Sequence, residues 1–149
     1  MAEIPNRTGP GHTVAIPVVV SPGELIDKLT ILDIKKDRLN DAEDLRGVRT
    51  ERKLLETARR QFIAPSAELD TLTAELRAIN VRLWDIEDDI RTLEQEGRFD
   101  DAFIALARAV YKTNDRRAAV KHAINRLLDA AFYEAKSHFG RTYHRAGDG

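Results

Sequence analysis

Cysteine is absent from this sequence, which excludes disulfides, thiolate nucleophiles and every zinc site that needs sulfur. Aromatic residues make up only 6%, with a single Trp, too few for a compact β fold of ordinary composition. Neither sign of charge dominates, since 24 Lys and Arg stand against 25 Asp and Glu. No global field therefore draws the chain to a polyanion, and nucleic acid is not expected as a partner. No run nears the roughly 18 consecutive apolar residues that span a bilayer, and no basic segment, apolar stretch and cleavage site open the chain. Membrane insertion is not expected, and the cytoplasm is the expected location. A phosphate-binding glycine loop, GxSxG and HExxH are all missing, so no cofactor or metal is expected.

What is present is 42% apolar and 33% charged residues in a chain of 149, the balance of one domain with long solvated helix faces. Residues 1–13 carry Pro5, Gly9, Pro10 and Gly11 with little to bury and read as a disordered leader. A single helical domain is expected over residues 14–139, followed by a disordered tail at 140–149. Residues 14–20, VAIPVVV, are β-branched but hold Pro17, which confines them to an extended arm or an edge. Such an arm either straps over the helices or pairs with its copy in a second subunit.

Ser21-Pro22-Gly23-Glu24 is a helix start, with Ser21 as cap, Pro22 at the first helical position and Glu24 closing a capping box. The first helix, residues 22–42, is apolar around most of its circumference through Leu25, Ile26, Leu29, Ile31, Leu32 and Ile34, which makes it central. It weakens near Asn40 and Asp41, and Gly47 marks a break before a second helix at 48–63. Ser66 caps a third at 66–96, whose Leu69, Leu72, Leu76, Ile79, Leu83, Ile86, Ile90 and Leu93 keep spacings of three and four throughout. At a rise of about 1.5 Å per residue it spans roughly 45 Å, about the first two helices joined, so an antiparallel hairpin or coiled coil between them is expected. Asp100 caps a fourth helix over 100–136, with Phe99 stapling onto Ile104, a kink near Asn114-Asp115 and fraying past Asp129. The expected fold class is all-α, a small bundle built around a long hairpin.

Polar residues interrupt these apolar stripes. On the third helix Asn80, Trp84, Glu87 and Arg91 share one stripe, either a packing Trp beside a Glu87–Arg91 helix pair or one wall of a groove. On the fourth, Phe103, Leu106 and Val110 run forward into Asn114, Arg117 and Lys121 before Ile124 restores the line. Buried polar atoms are costly unless paired, so this interruption implies a hydrogen-bonded network, a solvent-filled groove or a ligand. The start of the first helix offers free N–H groups with Lys28 one turn on, a potential anion site opposed by Glu24 and Asp27 at the same end. Glu134 and His138 share a face but lack a third ligand. His12 and His144 fall in presumed tails, and His122 on a presumed exposed turn.

Three segments carry a resemblance: SPGELIDKLTILDIK at 21–35, INVRLWDIEDDIR at 79–91, and FIALARAVYKTNDRRA at 103–118 with Lys121 and Asn125 beyond it. They resemble a bacterial family of small helical proteins of unassigned function, over about residues 14–137. The resemblance implies importance for polar residues inside them, among which are Ser21, Glu24, Asp27, Lys28, Asn80, Trp84, Glu87, Asn114, Asp115 and Arg116. It also implies an aromatic directly after Ser137, where this chain has His138. Similar segments accompany glycosyltransferase-type or repeat-containing proteins, which implies an association with surface polysaccharide assembly.

Two functions fit. The first is a non-enzymatic helical interaction or scaffold protein, a homodimer or the partner of another chain, meeting it through the arm and an exposed helix face. The second is a small-molecule site or cofactor-free enzyme in which Asn80, Trp84 and Glu87 face Asn114, Arg117 and Lys121 across a groove. There Arg117 and Lys121 would hold an anionic ligand and Glu87 would act as acid or base.

Overall fold

Every helix begins where a short oxygen-bearing side chain takes up free backbone donors of the first turn. In the computed structural model, which describes residues 14–130, α1 (Pro22–Arg38) starts at Ser21, whose hydroxyl accepts from the Glu24 N–H at 3.2 Å. Helix α2 (Ala42–Phe62) starts at Asp41, whose carboxylate accepts from the Glu43 and Asp44 N–H groups at 2.9 Å. Ser66 caps α3 (Ala67–Gln95) through the Leu69 N–H at 3.1 Å. Asp100 caps α4 (Asp101–Leu127) through the Phe103 N–H at 3.4 Å. The fold is the all-helical bundle that the apolar periodicity calls for, with no strand among the described residues.

Helix α1 is the central element. It packs against α2, α3 and α4 and buries eight of its 17 residues, whereas only Val48 is buried in α2. The core joins Leu25, Ile26 and Leu29 of α1 to Leu69, Leu76, Ile79 and Leu83 of α3 and to Val120 and Ile124 of α4, with Ile63 closing the α2 end. Each such side chain removed from water contributes about 1.5–3 kcal/mol, which is why the leucine stripe of α3 decides the architecture.

Several local expectations are corrected. The break lies at Leu39–Asp41 instead of Gly47: Asp41 caps a new helix, and α2 runs through Gly47, where nothing lies within 4 Å of a would-be Cβ. That turn sends α2 back along α1, as the Arg52–Asp33 ion pair at 2.6 Å shows, so the joined rod needed to match α3 does not exist. The long hairpin forms one connection later, between α3 and α4 across Gly97, which takes a φ of 66° that a side chain would disfavour. Helix α4 is continuous through Asn114 and Asp115. Phe99 packs edge-on against Phe103, ring centroids 5.3 Å apart, and Ile104 stays 52% exposed. Helix α4 ends at Leu127 with Leu128 as cap, so residues 128–130, expected as helix, are not helical.

Residues 14–20 have no regular structure. Val20 packs against the core, but Val14, Ile16, Val18 and Val19 are 72–85% exposed, so residues 14–19 do not strap the helices. The leader at 1–13, the expected helical residues 131–136, the tail at 140–149 and His12, Glu134, His138 and His144 lie outside the described residues.

Candidate functional site

The polar residues of α4 that break its apolar stripe, Arg117, Lys121 and Asn125, are four apart and share one face. The first turns of α1 meet them in antiparallel order, giving three rungs. The Gly23 N–H donates to Asn125 Oδ1 at 2.7 Å. Lys121 Nζ lies 2.6 Å from Glu24 Oε2. Arg117 Nε donates to Asp27 Oδ1 at 2.9 Å, and its Nη2 donates to Asp27 Oδ2, a bidentate fork.

Helix α3 completes the innermost rung. The Asn80 amide donates to Asp27 Oδ1 and to Thr30 Oγ1, both at 2.8 Å, and the Thr30 hydroxyl donates to the Asp27 carbonyl at 2.7 Å. Asp27 is 0% exposed, so its carboxylate has no water to rely on. Burying such a group is tolerable only with paired charge and hydrogen bonds, which Arg117 and Asn80 supply from two other helices.

Gly23 sets how closely α1 approaches α4. A Cβ there would collide with the Lys121 carbonyl oxygen and stand 3.0 Å from Asn125 Oδ1, so any side chain would push the helices apart. Sequence reading took this glycine only as part of a helix start. A glycine at the second position of an otherwise apolar helix was the available signal, since glycine costs helix stability unless close packing requires it. Thr30 and the buried Thr113 were missed too, their short side chains resembling surface positions in the sequence.

The donors at the start of α1, a potential anion site by sequence, are already taken. Pro22 has no N–H, Gly23 donates to Asn125, Glu24 donates to the Ser21 hydroxyl, and Leu25 donates to the Ser21 carbonyl at 3.1 Å. The Glu24 carboxylate, expected to reach back in a capping box, turns to Lys121, with Lys28 at 3.8 Å on its other side.

The six residues expected to line a groove between α3 and α4 are differently engaged. Asn80, Arg117 and Lys121 are taken up by α1. Glu87 and Arg91 are exposed and pair with each other at 3.6 Å. Trp84 and Asp115 are half-buried, while Asn114 and Arg116 face solvent. His122 lies half-buried inside α4, not on an exposed turn.

Among the described residues every buried side-chain nitrogen and oxygen has a hydrogen-bond partner, and no cluster of His, Asp and Glu could hold a metal. No described helix is long and apolar enough to cross a membrane. The arrangement works as an interlock: it ties the start of α1 to α4 and α3.

Comparison with curated proteins and with solved structures gives no match to this chain. A model of a family of unknown function, DUF6165, matches residues 16–141, a span that contains every rung of the interlock, and the chain belongs to that family.

Proposed function

We propose that this chain is a non-enzymatic helical interaction module that assembles as a homodimer through its extended arm. The observation that carries this reading is the exposure of Val14, Ile16, Val18 and Val19, each at least 72% open to solvent in a segment with no regular structure. On pairing as a strand, Val14, Ile16 and Val18 would alternate onto one face. An apolar stripe of this kind is a template for a second strand. Pro17 removes one donor and suits the outer side of a two-stranded pairing.

The buried polar residues support the same reading from the other direction, because they are consumed in holding α1, α3 and α4 together. An anionic-ligand site between α3 and α4 is the weaker reading, since Asp27 and Glu24 already engage its two cations. The likeness of several segments to ones that accompany glycosyltransferase-type proteins makes such proteins the first heterologous partners to try.

Sedimentation equilibrium tests the proposal. The protein is expected to dimerise in the micromolar range, and Ile16→Asp with Val18→Asp is expected to leave a monomer with unchanged helicity and melting temperature. A wild-type monomer at every concentration, or a dimer that survives the double substitution, would overturn it.

A further inference from the structure

The turn that lays α2 back along α1 builds an open cleft of about 340 Å³ whose wall is cationic. Lys36 comes from the last turn of α1, and Arg49, Arg52, Lys53 and Arg60 follow one face of α2, with Glu56 the one acid among the lining residues. Asp33 neutralises Arg52 at 2.6 Å, and Glu56 serves Arg60 at 3.4 Å and Arg59 at 3.6 Å. Lys36, Arg49 and Lys53 have no ion-pair partner among the described residues, so three positive charges converge on the cleft unanswered.

That arrangement is unfavourable for the isolated fold. Arg49 and Lys53 stand at i and i+4, a like-charge spacing that destabilises a helix. Both are exposed and neither covers the core. Bringing cations from two helices to one concavity is what recognition of a compact anion requires: guanidinium forks fit phosphate oxygens, and ammonium groups supply further charge. A volume near the lower end of small-molecule sites, about 300 Å³ and upwards, suits a small ligand and not a polymer.

We propose that the α1–α2 cleft binds a small ligand carrying a diphosphate group, with Arg49 and Lys53 gripping its phosphoryl oxygens and Lys36 closing on it from α1. Arg52, fixed by Asp33, positions the α2 wall. The site is separate from the arm and from the Asp27 interlock, and it stands whether or not the chain dimerises.

Isothermal titration with inorganic pyrophosphate at low salt tests it, with orthophosphate and a single-stranded oligonucleotide as comparisons. Pyrophosphate is expected to bind saturably with one site per chain and more tightly than orthophosphate. Arg49→Gln with Lys53→Gln is expected to weaken it at least about tenfold while the melting temperature holds or rises. Arg108→Gln with Lys112→Gln, on α4, is expected to leave the affinity unchanged. No binding of pyrophosphate, equal binding by the Arg49 and Lys53 variant, equal loss in the α4 variant, or tighter binding of the oligonucleotide would each overturn the proposal.

Discussion

On the side of α1 that meets α4 and α3, Glu24 and Asp27 are both answered by cations, and even the Gly23 N–H has an amide oxygen waiting. On the side that meets α2, Asp33 answers Arg52 but Lys36, Arg49 and Lys53 face water. The two sides use similar side chains and differ in closure. A polar group that finds all its partners inside the chain contributes to holding the chain together. One left open towards solvent, at little benefit to the fold, is where a ligand or a second molecule can act. The arm belongs with the open side, its aliphatic residues standing to water as the three cations do.

The comparison breaks most visibly at Asp27. Asp27→Ala should remove the bidentate carboxylate that Arg117 grips and strip Asn80 of one acceptor, lowering stability by about 3–4 kcal/mol in urea titrations. Asn125→Ala comes next: it orphans the buried Gly23 N–H and should cost about 1–3 kcal/mol by the same measurement. Glu87→Ala, an exposed residue of the α3 stripe, should change stability by less than about 0.5 kcal/mol, because its pair with Arg91 is solvated.

The smallest effect should be at Asp100, where the hydrogen bond from Arg98 and then the one from the Phe103 N–H hold the carboxyl below its ordinary pKa. A group depressed on folding stabilises the folded state above its unfolded pKa, and that contribution is lost as pH falls through the lowered value. The wild type should therefore lose slightly more stability than Asp100→Asn on acidification below the ordinary carboxylate range. Thermal melts across acidic pH would check this, and salt should shrink the difference because the Arg98–Asp100 pair is exposed.

Much of the fold was legible in the sequence because caps and apolar periodicity are local. Ser21, Ser66 and Asp100 announce their helices, and the spacing from Leu69 to Leu93 fixes the buried face of α3. Pairing of helices was not legible. The match of lengths favoured α3 against a joined first rod, and a single cap at Asp41 undoes that match. The polar residues of the interlock were recognisable as out of place, since Asn80, Arg117 and Lys121 break apolar lines. Glu24 and Asp27 were recognisable too, but as acids at the start of α1, and their pairing with Lys121 and Arg117 was not legible until tertiary packing brings α4 onto them. The cationic cleft was not legible for a related reason: Arg49 and Lys53 are exposed residues of α2, and only the return of α2 along α1 adds Lys36 to them.

A double-mutant cycle on Asp27 and Arg117 tests most directly the claim that the interlock holds the fold while function lies on the open surfaces. The account predicts that Asp27→Ala and Arg117→Ala each destabilise, and that the double variant is little worse than the poorer single one, a coupling of about 2 kcal/mol or more. Additive losses, or single variants as stable as the wild type, would contradict it and return these residues to the list of groups held ready for a ligand.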